Sequence, residues 1–139
     1  SAYSSTLSRI ENNGPHNAMV DSKISQLKME LEIINQDKDS INYNSAIENY
    51  NTAISLYNSF ITYRNNQFRP AKSNAEVDTI FNNIQQNIAL ARTKLKRVDQ
   101  SKATLILNTG DIYFALEKLE KNVRNQQLFF KENNTATKK

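Results

Sequence analysis

The residues of this 139-residue chain that could carry out chemistry are few and isolated. His16 is the single histidine and there is no cysteine, so the sequence offers no thiol nucleophile, no cysteine ligands for zinc and no covalent haem attachment. A lone histidine beside Pro15 is typical of a solvated loop. No Glu-x-x-His pair occurs, which excludes the usual di-iron site of helical bundles. We therefore expect no metal and no cofactor.

Closely spaced carboxylates are the remaining candidates for catalysis. Glu30 with Glu32, and Glu117 with Glu120, are pairs of the kind used in general acid and base catalysis. The second pair, however, lies among the cations Lys118, Lys121 and Arg124, and two of these are four residues from a carboxylate of the pair, the spacing of ordinary helix-surface ion pairs. No nucleophile, base and orienting group can be proposed together, so we predict that the chain is not an enzyme.

The positive charge is concentrated in the second half of the chain. Residues 1–70 carry 6 Lys and Arg against 7 Asp and Glu, whereas residues 71–139 carry 12 against 7. Five cations lie close together in sequence: Arg92, Lys94, Lys96, Arg97 and Lys102. On a helix they divide between different faces, which is more typical of a solvated surface than of a groove that binds nucleic acid.

A repeat of seven residues organises the middle of the chain. Tyr43, Tyr50 and Tyr57 each begin a Tyr-Asn segment that continues with Ala or Phe and then Ile. Seven residues make nearly two helical turns, so the three rings share one face beside the apolar residues. The pattern favours tyrosines packed at the margin of a core, with a ligand or partner surface as the alternative. Tyr63 and Arg64 form a further candidate surface near the end of this helix.

Apolar spacing and end signals predict four helices, near residues 16–37, 40–68, 74–100 and 103–131. Ser73 and Glu76 match a capping box, and the short connection around Pro70 favours antiparallel neighbours. The apolar stripe that ends at Ile34 is about 120° out of phase with Ala46. We interpret the polar residues between them as a turn.

The predicted fold class is all-α, an antiparallel up-down bundle of long amphipathic helices formed by residues 1–132. Four helices are favoured, with the last break at residues 99–101 or 109–111. The alternative is a long coiled-coil hairpin of two or three helices, in which the final helix runs unbroken to about residue 131. Residues 133–139 lack an apolar pattern and are predicted to be a disordered tail. No apolar run is long enough to cross a membrane.

The segment from Tyr43 to Ile54, with Tyr-x-x-Ala-Ile at both ends, resembles the second helix of a tetratricopeptide repeat. The stretch from Gly110 to Leu116 resembles the same motif more distantly, and together the two cover about a third of the chain. The matching first helix and the 34-residue period of that family are missing. The sequence is therefore not assigned to it.

These features predict a non-enzymatic helical interaction or scaffold domain that binds a protein partner or self-associates. The candidate surface consists of Tyr43, Tyr50, Tyr57, Tyr63, Arg64, Arg92, Lys94, Lys96 and Arg97. The alternative is an anion-binding module for nucleic acid or an acidic membrane surface that uses the basic half, and a third hypothesis is a small apolar ligand between helices. The abundance of Asn and the start at Ser1 favour an exported or surface-tethered domain with a trimmed N-terminus, although the compartment stays unknown.

Overall fold

Three helices make up most of the described chain. The computed structural model describes residues 18–101 and 106–137, with side chains of the last helix described as far as Lys131. The helices are α1 (Ala18–Asn65), α2 (Asn74–Asp99) and α3 (Thr109–Thr137). These ranges contain no strand, and the predicted all-α class is confirmed. His16, Lys102 and the predicted helix starts at residues 16 and 103 lie outside the described residues.

The predicted four-helix bundle is wrong, because its first two helices are one continuous helix. α1 runs for 48 residues through the polar residues 35–40, where we expected a turn. That stretch contains no Gly or Pro, and Gln36 donates a hydrogen bond to Glu32 one turn earlier (3.1 Å). The apolar stripe changes direction here because α2 ends alongside, where Arg97 and Asn42 line one cavity. The phase shift therefore marks a change of packing neighbour and not a turn.

The connection between α1 and α2 is held at both ends by local hydrogen bonds. The Tyr63 hydroxyl donates to the carbonyl of Pro70 (2.8 Å). Ser73 caps α2, since its hydroxyl accepts from the Glu76 amide (3.1 Å) while the Glu76 carboxylate accepts from the Ser73 amide (3.2 Å). The predicted capping box is thus confirmed, and it satisfies two backbone donors that the first turn of a helix leaves open.

The connection between α2 and α3 lies between Asp99, where α2 ends, and Thr109, where α3 begins. An unbroken helix to residue 131 is therefore wrong. The Asn108 side chain accepts from the Asp111 amide (3.3 Å) and donates to the Asp111 carboxylate (2.7 Å), so it caps α3. The Thr109 hydroxyl donates to the Asp99 carboxylate (2.7 Å) and ties the two helix ends together. Residues 109–111 are the first turn of α3.

The three helices differ in length. At about 1.5 Å per residue, the 48 residues of α1 span about 72 Å and the 26 residues of α2 span about 39 Å. α1 therefore projects well beyond the end of α2, and Ile24 and Leu27 in this projecting part are buried. α3 extends to Thr137, so residues 133–137 continue the helix where a disordered tail was predicted.

The helices run up, down and up. Both sequential pairs are antiparallel and α1 is parallel to α3, as shown by the residue pairs Ser45–Lys94, Phe60–Phe81, Arg92–Glu120, Tyr43–Asn108 and Arg64–Gln126. α1 and α3 touch each other less closely than either touches α2. The seam between the two parallel helices is consequently the most open part of the bundle.

The core consists of apolar rows at seven-residue spacing. It contains Ala46, Ala53 and Phe60 of α1, Val77, Phe81, Ile84, Ile88, Ala91 and Leu95 of α2, and Leu116, Leu119 and Val123 of α3. Phe60, Phe81 and Phe130 supply one ring from each helix, with centroids 4.8 Å and 5.9 Å from Phe60. Burial of each such side chain contributes about 2 kcal/mol.

Candidate functional site

The tyrosine row of α1 faces α3. Tyr43, Tyr50 and Tyr57 are half-buried and pack against the core. The Tyr43 hydroxyl donates to the carbonyl of Asn108 just before α3 (3.1 Å). Tyr50 and Tyr57 instead border the open seam, so the seven-residue spacing places their rings where a surface groove begins.

This groove, which we call the tyrosine groove, has a volume of about 380 Å³. Its α1 wall is Tyr50, Ile54, Tyr57 and Asn58, and its α3 wall is Phe114, Ala115, Lys118, Leu119 and Asn122. Phe114 is 70% exposed, although a phenyl ring gains most from burial. The sequence analysis missed the α3 wall, since Phe114 lies outside the apolar rows that predicted the core.

The charge of the tyrosine groove comes from one side chain. Lys118 is the only ionisable group with a formal charge at neutral pH among the described lining residues. Asn58 and Asn122 add neutral amide groups at the edge of the aromatic floor. The groove thus combines an apolar floor with a single cationic edge, an arrangement suited to an amphipathic ligand with a negative group.

Tyr63 and Arg64 lie at the other end of the bundle, as part of a packed cluster. Lys72 Nζ lies 4.9 Å and Arg69 Cζ 5.8 Å from the centroid of the Tyr63 ring, within cation–π range. Arg64 donates to the Gln126 side chain of α3, and its guanidinium carbon lies 5.4 Å from the Phe129 ring centroid. The two residues therefore hold the helix ends together.

Two of the predicted cations bind neighbouring helices. Arg92 donates to both carboxylate oxygens of Glu120 in α3 (2.6 and 3.3 Å). The hydrogen bond from Arg92 holds the pKa of Glu120 below its usual range, against the opposing effect of burial. Lys94 donates to Ser45 (2.6 Å) and Asn49 (2.5 Å) of α1. Arg92 and Lys94 therefore form contacts between helices of the bundle.

Lys96 and Arg97 are exposed near the end of α2. Arg97 borders a polar cavity of about 480 Å³, whose other described lining residues are Asn35, Lys38, Asp39, Asn42 and Ser101. We call it the end cavity. Asp39 was not identified from the sequence, because the polar residues around it were interpreted as a turn. Its position seven residues before Ala46 is the signal that could have found it.

The junction between α2 and α3 contains one perturbed phenol. Burial raises the pKa of Tyr113, and the nearby Asp99 carboxylate raises it further by repelling a phenolate and accepting its hydrogen bond. The raised pKa favours the protonated phenol, and the Thr109 hydroxyl donates to the same Asp99 carboxylate.

The other candidate carboxylates lie on helix surfaces. Glu30 accepts from Gln26 (3.2 Å) and Glu32 accepts from Gln36, in each case one turn away on α1. Within residues 18–101 and 106–137, no group of three His, Asp or Glu residues could hold a metal ion. In the same part of the chain, no helix has the length and apolar character needed to cross a membrane.

Comparison of the chain with protein-family models, with curated proteins and with solved structures gives no match. The geometry of the tyrosine groove and of the end cavity is therefore the basis for a functional proposal.

Proposed function

We propose that the chain is a non-enzymatic interaction module whose tyrosine groove binds an amphipathic helix of a protein partner. The observation that carries this proposal is the open seam in which the exposed ring of Phe114 lies beside half-buried Tyr50, Ile54 and Tyr57. Helices that bind in grooves bury apolar residues spaced three, four and seven apart. The walls of this groove are helices with the same spacing, so a further helix can pack on them by the rules that hold the bundle together.

The chemistry of the partner follows from the edge of the groove. Lys118 is a cation without an acidic neighbour among the described lining residues. A carboxylate on the bound helix would pair with its ammonium group, whereas a lysine or arginine at that position would be repelled. We therefore assign to the partner helix an apolar face flanked by Asp or Glu.

A synthetic peptide pair tests this assignment. One fluorescent amphipathic helix carries Glu beside its leucine face and the other carries Lys at the same positions, and anisotropy measures their binding to the full chain. We expect the Glu peptide to bind more tightly. Phe114→Ala should weaken its binding about tenfold or more, since an aromatic anchor is lost. Lys118→Glu should reverse the preference between the peptides.

Phe68→Ala provides a matched control, because Phe68 is also highly exposed (84%) but lies in the connection between α1 and α2. It should leave the affinity for the Glu peptide unchanged. Equal binding of both peptides, or binding that Phe114→Ala does not weaken, would contradict the proposal. A dimer that sedimentation detects and Phe114→Ala dissociates would assign the groove to a second copy of the chain instead.

The anion-binding alternative has less support from the positions of its residues. Arg92 and Lys94 are engaged with Glu120, Ser45 and Asn49, so they point at neighbouring helices. Binding to a nucleic acid or an acidic membrane needs several cations directed at one surface. The small-ligand hypothesis also has less support, since the cavity beside Phe81 and Phe130 has a volume of only about 230 Å³.

A further inference from the structure

The end cavity shares no lining residue with the tyrosine groove and lies where α2 ends beside α1. Its described lining is entirely polar or charged, in contrast to the aromatic groove. A cavity of this size falls within the range of small-molecule sites in proteins. Its chemistry depends on Asp39, Lys38 and Arg97.

Asp39 is the charged residue that is buried within the described chain, at 5% exposure. It precedes Ala46, Ala53 and Phe60 at the same seven-residue spacing and thus occupies a core position of α1. No hydrogen bond or ion pair with another described residue engages its carboxylate. Every fully buried polar side-chain atom in the described residues has a partner. The carboxylate oxygens therefore retain contact with solvent, and the end cavity is where Asp39 meets it.

Two cations line the same cavity without neutralising Asp39. Neither Lys38 nor Arg97 forms an ion pair with it in the described structure, so one negative group and two positive groups face a common space separately. Asn35 and Asn42 add amide groups that both donate and accept hydrogen bonds. A carboxylate at a position that the seven-residue spacing assigns to the core contributes little apolar burial there, which is typical of a residue that serves a ligand.

We propose that the end cavity binds a free α-amino acid. Its ammonium group would donate to the Asp39 carboxylate, and its carboxylate would accept from the Arg97 guanidinium and the Lys38 ammonium. Arginine binds carboxylates through two parallel hydrogen bonds, and the cavity offers one negative group and two positive groups, so both charges of a zwitterion find a partner of opposite sign. A simple cation would be repelled by Lys38 and Arg97, and a simple anion would leave the Asp39 carboxylate without a partner.

The test uses the full chain and a panel of the twenty L-amino acids at about 10 mM, read by thermal unfolding and then by calorimetric titration. At least one amino acid should raise the melting temperature, while ethylamine and acetate, which carry only one of the two charges, should not. Asp39→Asn should weaken binding of that amino acid about tenfold or more. A cooperative thermal transition of the unliganded variant shows that it is folded.

Asp37→Asn is the matched control, because it removes an exposed carboxylate two residues away on the same helix. It should change neither the melting temperature nor the binding. The proposal is overturned if no amino acid raises the melting temperature, if ethylamine or acetate acts equally well, or if Asp39→Asn binds as the native chain does. Phe114→Ala should keep amino-acid binding, so the two proposals can fail separately.

Discussion

Glu120 shows how one carboxylate joins two helices. It accepts both hydrogen bonds from Arg92 of α2 and lies 3.2 Å from the Arg124 guanidinium of its own helix. These cations favour the charged form and hold the pKa of Glu120 below its ordinary value. Because the pKa is lower in the folded state, Glu120 stabilises the fold above the pKa of the unfolded chain. This stabilisation is lost as the pH falls through the folded pKa.

Glu120→Gln should therefore lower the free energy of unfolding by about 1 kcal/mol at pH 7, the upper range for a partly exposed ion pair. Urea titrations at pH 7 and at pH 3 measure the effect. The deficit should shrink at pH 3, because this pH lies below the ordinary pKa of a glutamate and the stabilisation falls as the pH approaches the lowered pKa of the folded state. Glu117→Gln, an exposed carboxylate on the same helix, should have little effect at either pH. An equal deficit for Glu120→Gln at both values would disprove the electrostatic origin.

The sequence indicates which residues share a helix face, but not which residues meet across helices. The tyrosine row could be predicted, since Tyr50 and Tyr57 are seven residues apart. The partners of Arg92 and Lys94 could not, because they lie on other helices and 28 to 49 residues away in the chain. Of the described cations in this cluster, Arg92 and Lys94 form contacts between helices, whereas Lys96 and Arg97 are exposed.

At the scale of the elements, α1 and α2 differ in how far local signals define them. The start of α2 follows from Ser73 and Glu76, whose mutual hydrogen bonds depend on four adjacent residues. The continuity of α1 depends instead on what packs against it. The apolar stripe of α1 shifts to another face of the helix beside the end of α2. The sequence alone does not show which residues of α1 lie beside that end.

Asp37→Pro tests the continuity of α1. Residue 37 is exposed, so the substitution removes little packing, but a proline inside a helix loses a backbone donor and clashes with the preceding turn. We expect a loss of about 3 kcal/mol of unfolding free energy and a lower helical circular dichroism signal. Asp37→Ala, which keeps the backbone amide, should be neutral or slightly stabilising. A proline variant as stable as the native chain would mean that a turn does exist there.

At the scale of the whole molecule, the long first helix defines the shape. Small-angle X-ray scattering should give a maximum dimension of at least about 70 Å, since the 48 residues of α1 alone span that length. The two longest helices of the bundle that the sequence predicted, residues 40–68 and 103–131, have 29 residues each and would span about 44 Å. A concentration series separates particle shape from association. A maximum dimension near the smaller value at infinite dilution would contradict a continuous α1.

The apolar rows predicted from the sequence form the core, because they recur on all three helices. The sequence predicted four helices, however, and the structure has three. A polar stretch such as residues 35–40 has no proline or glycine to end a helix. Its interpretation as a turn relied on a change of phase, and such a change also arises when one helix passes from one neighbour to the next.

The ring trio of Phe60, Phe81 and Phe130 has a consequence for unfolding cooperativity. Each ring belongs to a different helix, so any two helices that dock without the third leave an aromatic face in water. Detachment of α3 alone would thus expose to water the part of the Phe60 ring that contacts Phe130. The helices are thereby coupled into one transition, and partly assembled forms are disfavoured at equilibrium.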